Sequence, residues 1–549
     1  MAVISIMNTF DWLVIILYLI GIVGFSVWLS RKQADTQDYY LAGRNIKWWQ
    51  SGVSTMATQL SAISFVSAPA FVALKVGGGL KWLAYEFAVP LALVLVMAII
   101  IPILHQKKYI SIYEYLEQRF DPGMRTLVSV FFQLGRGLAT AVAVLAGGLI
   151  LSTAIGMSTA QAILLIGVVT LIYDVLGGIR VVILSDILQM AVIVIGILIC
   201  GGVAWSVVGW ESIWAALPPE RMQILRFDQW GLSVESTYGF WPMLFGGFFL
   251  YASYYGTDQS QVQRELAVGS LKDVRKSLLV NALGRFPLVL LYVVMGVFVG
   301  AVFFTPHGIE PIAATMKMSV NDLNALLQRD PDRMVPMFIL SYLPHGIIGF
   351  IFVAIMAALM SSLDSGLNSL SAVSMKDIYQ KYIRKQAGER HYLIASKMIT
   401  VFWGLFCIGA ALLLNEEGQA TRQTTIVLIN AVGSMLYGPI LAVFLVGMFS
   451  KRAGSAAVKI GLLTGIAANL ILWIFTSVSW MWWNVSGFIT AAGVAYLFSR
   501  LGFSLKQPLV QSDLEQIKAE PAQKKWILVY ALTVLYFFVI VGVSWWLEG

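Results

Sequence analysis

Residues 357–370 read AALMSSLDSGLNSL and lie deep inside a long apolar run. Polar side chains in such a run are expensive and mark function by default. On a helix, Ala358, Ser361, Ser362 and Ser365 fall at i, i+3, i+4 and i+7, which is one face. A row of hydroxyl oxygens beside a freed carbonyl makes a hard-oxygen environment. That chemistry suits a small, weakly held cation such as sodium, whereas zinc or copper would draw nitrogen and sulfur ligands. Serines can also bond back to the carbonyl four residues earlier, a reading that Asp364 in the same stretch makes harder to hold.

A second polar-rich run, WWQSGVSTMATQLSAISFVSAPAF, begins at Trp48 and contains Pro69. Its small and hydroxyl residues suit close packing between helices. They equally suit a discontinuous helix whose unwound turn offers carbonyls to a cation. Arg136 and Arg285 also stand inside apolar segments, as do Glu86, Asp186 and Asp258. A charge at the bilayer centre costs at least ~2.5–3.5 kcal/mol on insertion scales. Each arginine therefore needs an acid partner or a water-filled cavity, and each acid could serve as that partner.

The elements that must position these groups are set by composition. The 549 residues are 58% hydrophobic and only 12% charged, about half the charged fraction of a soluble chain. Apolar runs of ~20 residues fit a bilayer core. Fourteen such segments are read at 10–30, 49–74, 81–104, 124–153, 159–176, 182–208, 238–257, 277–304, 335–375, 392–414, 424–449, 455–477, 479–499 and 526–547. The ninth is long enough to hold a surface helix, broken near Pro344, before its crossing. The seventh, rich in glycine and aromatics, is the least regular. The chain start reads as a span rather than a cleaved leader. Lys and Arg concentrate in alternate loops, among them Arg44, Arg119, Arg125, Arg264, Arg275 and Lys376. The positive-inside rule makes those loops cytoplasmic and both termini extracytoplasmic. The net charge of +8 is then topology, and no nucleic-acid partner is expected. Two cysteines and four scattered histidines give neither a disulfide framework nor a metal cluster.

Five stretches carry a family resemblance: DYYLAGRN (38–45), SIYEYLEQRF (111–120), GGIRVVILSDILQ (177–189), QSQVQR (259–264) and AALMSSLDSGLNSLSAVSMKDIY (357–379). In this order they resemble the sodium/solute symporter family over nearly the whole chain. The resemblance implies an all-α LeuT-type fold with two inverted five-helix repeats over 49–449. One helix (10–30) would precede the core and further helices (455–547) would follow it. It implies a sodium site made by the carbonyls of Ala57, Leu60 and Ala358 and the hydroxyls of Ser361 and Ser362. A second sodium site, as in the sialic-acid branch, would use Ser361, Asp186, Asp364 and Ser365, although that branch has serine where this chain has Asp364. For the solute, Ser61, Ser64 and Arg136 resemble the sialic-acid branch, with Gln59 replacing a threonine. Glu86 resembles the sugar branch, and Asp258, Arg285 and Asn430 fall near its pocket positions. YGTDQSQVQR leans toward the iodide, monocarboxylate and vitamin branch.

The implied function is import of a sugar or sugar acid with Na+ by alternating access across the plasma (inner) membrane. The expected partners are sodium, the solute and the lipid bilayer, with the chain working as a monomer. The alternatives are a monocarboxylate or vitamin symporter and, in another class, a transporter-like membrane sensor. An enzyme is not expected, because no nucleophile–base pair stands out.

Overall fold

The computed structural model describes residues 7–31, 33, 35–233, 236–416, 425–502 and 523–548, with backbone alone at 153–155, 416, 425–432, 523 and 524. Asn430 therefore lies outside the residues whose side chains are described. Each of the fourteen expected segments contains helix. Among the described residues, nine helices are long and apolar enough to cross a membrane. The ninth segment resolves into Met334–Tyr342 and, after Pro344, Ile347–Val373. The latter carries the serine face and is called the serine helix below.

Two segments are interrupted. The second runs as helix over Trp48–Ala57, leaves it at 58–61 and resumes toward Ala73. In the break, the Leu60 N–H donates to the Ala57 carbonyl at 2.9 Å, a tight turn in place of the helical i−4 bond. The seventh segment continues past its expected end through a break at Asp258 (φ −95°, ψ 118°), between Gly247–Thr257 and Gln259–Leu266. Asp258 caps the second piece by accepting from the Ser260 N–H at 2.8 Å. Such breaks are tolerated where backbone is buried in protein or lines a cavity.

The long helix Thr159–Val208 turns at Gly178 (φ 56°, ψ −163°). It packs along both the serine helix and the N-terminal helix Thr9–Ser30. The N-terminal helix is pinned by one buried acid. Asp11 Oδ1 accepts from the Gly346 and Gly349 N–H groups at 2.5 and 3.1 Å, capping the serine helix. Donors at a helix start have no intrahelical partner, and a carboxylate there also meets the positive end of the dipole. The helix Leu271–Phe304 packs against both halves of the broken second segment.

Several cations that the sequence assigns to cytoplasmic loops are structural. Arg119, Arg125, Arg264 and Arg275 are buried. Arg119 donates to the carbonyls of Gly447 (2.7 Å), Ser450 (2.5 Å) and Ala453 (3.5 Å). It thereby closes the C-terminal end of the helix Thr425–Phe449, where carbonyls are left over. Arg44 likewise donates to the carbonyls of Leu266 and Tyr109. Part of the charge asymmetry along the chain is thus interhelix fastening.

Gly178 is a strict backbone position in this frame. A Cβ there would lie 2.5 Å from the Tyr39 carbonyl oxygen, at a φ that side chains disfavour. Gly178→Ala is expected to lower the melting temperature in detergent by several degrees, a loss of about 1–3 kcal/mol from the backbone conformation alone. A melting curve that overlays the unmodified protein would show that the turn tolerates a side chain.

Candidate cation and solute site

The serine helix, the broken second segment and the Gly178-bent helix converge on Asp186. This acid is fully buried. Its Oδ2 accepts from Ser54 at 2.5 Å, and its Oδ1 accepts from Ser361. Arg264 completes the group, donating to Asp186 Oδ2 at 3.1 Å, Ser54 Oγ at 2.7 Å, Ser365 Oγ at 2.5 Å and the Ser260 carbonyl at 2.5 Å. One guanidinium therefore ties four elements together. Reading Arg264 as a loop charge is corrected here: the helix that carries it is buried over its whole length, Gln259–Leu266.

The same geometry revises the surroundings of Asp186, Asp364 and Ser365. The sequence places a sodium ion among them, but Asp186 and Ser365 both bind the Arg264 guanidinium. Asp364 turns toward the first half of the bent helix, where the Tyr173 hydroxyl donates to its Oδ2 at 2.5 Å. Ser365 donates to the Ser361 carbonyl at 2.6 Å.

The first set of oxygens lies apart from Arg264. Ala57, Leu60, Ala358 and Ser361 are buried. Ser362 donates back to the Ala358 carbonyl at 3.2 Å, the i−4 pattern weighed above, which leaves the lone pairs of its hydroxyl oxygen as acceptors. Thr58, Gln59 and Ser61 from the break face the same cavity as Ser362 and Ser365. The set is oxygen only, as a hard monovalent cation requires.

That cavity has a volume of about 250 Å³ and gathers most of the expected solute residues: Gln59, Ser61, Ser64, Glu86, Arg136 and Arg285. Aromatic rings of Trp82, Tyr85, Tyr251, Tyr254, Tyr292 and Tyr437 complete its wall. Gln59 donates to the Tyr255 hydroxyl at 2.5 Å, which fixes its amide. Arg285 forms a two-pronged pair with Glu86, at 2.9 and 3.2 Å, and Tyr251 also reaches that acid at 3.3 Å. Arg136 is held more loosely. It donates to Ser260 Oγ, stacks over the Tyr254 ring at 5.8 Å, and stands 3.9 Å from Asp258. Arg136 Nε and Arg285 Nη1 are buried with no hydrogen-bond acceptor among the described residues.

Asp258 is not part of this wall. It lines a smaller adjoining cavity of about 30 Å³, together with Tyr113, Phe132, Ser253 and Thr257. Sequence reasoning also passes over Asp174, a fully buried acid whose Oδ1 lies 3.5 Å from the Asn368 amide. Its place inside an apolar run is a usable signal. The aromatic wall has no such signal, because aromatic residues are spread through every segment.

Comparison with known proteins supplies the lineage. A family model described as the sodium:solute symporter family matches residues 39–465. The sodium/sialic acid symporter NanT of Aliivibrio fischeri is 28% identical, over 93% of this chain and 96% of its own. The sodium/glucose cotransporter of Vibrio parahaemolyticus is 28% identical over 84% of each chain. Human sodium-coupled monocarboxylate transporter 1 is 27% identical over 80% of this chain and 68% of its own. The fold matches that of a sodium-coupled sialic acid symporter solved in a substrate-bound outward-open state. Its TM-score is 0.78 at 24% identity, over 91% of this chain and 99% of that one.

The Arg264–Asp186 pair yields a stability test. Splitting a buried pair strands a charge and costs about 3–5 kcal/mol, whereas removing both partners is far milder. Arg264→Met is expected to destabilise the protein strongly, and adding Asp186→Asn to recover part of the loss. Thermal unfolding of the single and double variants decides it; a double variant worse than the sum of both singles would contradict the pairing.

Proposed function

The chain belongs to the sodium:solute symporter family, and from that premise we propose that it imports a sugar acid with sodium across the inner membrane by alternating access. The spare positive charge in the cavity carries this reading. Arg285 is neutralised by Glu86 at hydrogen-bond distance, whereas among the described residues Arg136 has no carboxylate that close. A solute carboxylate would engage the guanidinium of Arg136, and a solute hydroxyl or carbonyl could meet Arg285, both of which line the cavity. Gln59, Ser61, Ser64 and the tyrosine hydroxyls suit a polyhydroxylated body. The sialic acid relatives support the same class.

A monocarboxylate is the second reading, favoured by the same arginine and by the human relative. The volume of the cavity and its polar lining beyond Arg136 favour the larger solute.

Sodium would be held by the carbonyls of Ala57, Leu60 and Ala358 and the hydroxyls of Ser361 and Ser362. Because Arg264 supplies positive charge beside Asp186, we assign one sodium ion per cycle. Asp364 and Ser365 then serve to position the serine helix. The breaks at 58–61 and at Asp258 fall in the second and seventh segments, five apart. That spacing supports two inverted five-helix repeats over 49–449, flanked by 10–30 and 455–547. Exposed apolar side chains along the outer helices, such as Ile474, Phe475, Trp545 and Trp546, suit lipid and a protein working as a monomer.

Three outcomes are expected. Ser362→Ala should raise the sodium concentration for half-maximal uptake several-fold in proteoliposomes; an unchanged value would move the cation elsewhere. Arg136→Ala should abolish accumulation of N-acetylneuraminate while a sodium-dependent rise in melting temperature survives. Third, one sodium with one carboxylate carries no net charge. Steady-state accumulation should then ignore an imposed potential, although each uncompensated charge would add ~2.3 kcal/mol per 100 mV. Accumulation that climbs with the potential would require a second cation.

A further inference from the structure

Arg136 belongs to two compartments at once. With Ala139 and Tyr437 it lines both the large solute cavity and the smaller one behind it. The smaller cavity is bordered by Tyr113, in the polar loop before the helix Pro122–Ile155, and by Asp258. Tyr113 sits between Lys107 and Lys108 on one side and Arg119 on the other, the loop that the charge pattern assigns to the cytoplasm. The small cavity therefore lies between the solute cavity and the side that the charge pattern assigns to the cytoplasm, and Arg136 stands between the two cavities.

The hydrogen bonds behind Arg136 run in one line. The guanidinium donates to Ser260 Oγ, and that hydroxyl donates to Asp258 Oδ1 at 2.6 Å. Asp258 Oδ2 lies 3.9 Å from Arg136 Nη1, attracted but not hydrogen-bonded. Asp258 is also the extended residue at which the seventh segment breaks. A residue between two helix pieces is where a bending motion is absorbed. Arg136 thus holds the hinge acid from between the two cavities, and it does so through a single hydroxyl and a long ion pair.

We propose that Asp258 is a positioning residue that latches Arg136 between the two cavities, and that the carboxylate of the solute releases the latch by taking the guanidinium into the large cavity. This rests on the sugar-acid reading of the same cavity. A carboxylate in direct two-pronged contact outcompetes an acid at 3.9 Å, because charge-assisted hydrogen bonds are the strong ones. Binding then unties Ser260 and Asp258, the Gly247–Thr257 piece can bend at Asp258 against the half-helix that Arg264 fastens, and the small cavity opens to the cytoplasm. Only a solute with differential affinity for the untied state shifts that equilibrium. A neutral sugar of the same size leaves the latch in place. The latch thus makes the solute's charge, rather than its bulk, the condition for inward opening.

The test uses Ser253→Cys, a nearly isosteric change at a buried position that lines only the small cavity. The native cysteines, Cys200 and Cys407, are buried. In inside-out vesicles containing sodium, a membrane-impermeant maleimide is applied to the cytoplasmic face. Labelling in this background is expected to be slow, and to speed several-fold with N-acetylneuraminate but not with glucose. Asp258→Asn keeps a good helix cap and removes the charge. In that variant labelling is expected to be fast without solute, with sodium leaking through proteoliposomes that hold none. Should the variant label no faster than the background and leak no sodium, the latch is overturned whatever the solute. Should it label fast while no carboxylate speeds the background, the latch stands and the sugar-acid reading fails. If Asp258→Asn does not fold, Ser260→Ala cuts the same line one bond earlier and is read the same way.

Discussion

Everything around the candidate cation site hangs on the pairing of Arg264 with Asp186. Ionised groups this deep are tolerable only when every donor and acceptor is used. Here Asp186 accepts from two serines and the guanidinium, and the guanidinium donates to two serines, a carbonyl and the acid. Against a well-packed apolar cluster such a pair adds little net stability. What it adds is register. The break at 58–61, the serine face and the half-helix after Asp258 are held in one relation, because sliding any of them strands a charge.

The two cavity arginines show how the same side chain serves opposite ends. Arg285 faces an acid at 2.9 Å and acts as part of a neutral wall. Arg136 faces an acid at 3.9 Å and keeps most of its charge for whatever enters. The difference of about one ångström separates a hydrogen-bonded pair from a merely attracted one. A transport site needs both, since a cavity of two free cations would bind an anion too tightly to release it.

Much of this is legible in the sequence. Apolar run length marks the helices, and the spacing of the serines marks the face on which a cation would sit. The polar character of the second segment signals its break. Arg136, Arg285 and Glu86 stand out simply because charges are costly in lipid, and all three reach one cavity. The reading of Arg264 as a loop charge has a compositional cause. Arg264 lies in a polar stretch, TDQSQVQREL, that looks like a loop. It is a buried half-helix, and composition cannot separate polar residues that face water from polar residues that face one another. Asp364 falls on the expected helix but has a different neighbour. Its partner Tyr173 is an apolar-looking residue whose hydroxyl matters only once two helices are docked.

The Arg119 clamp has a consequence for biosynthesis. Its carbonyl partners lie 328 to 334 residues further along the chain. At roughly 10 residues per second, the ribosome needs about half a minute to make them after Arg119 has emerged. Through that interval the guanidinium has to stay hydrated at the membrane surface, since its protein acceptors do not yet exist. The short helix Glu114–Arg119 that carries it therefore cannot settle into its final depth until the helix Thr425–Phe449 arrives. The early spans wait for a late one, and closure of the bundle is coupled to synthesis of the helix Thr425–Phe449.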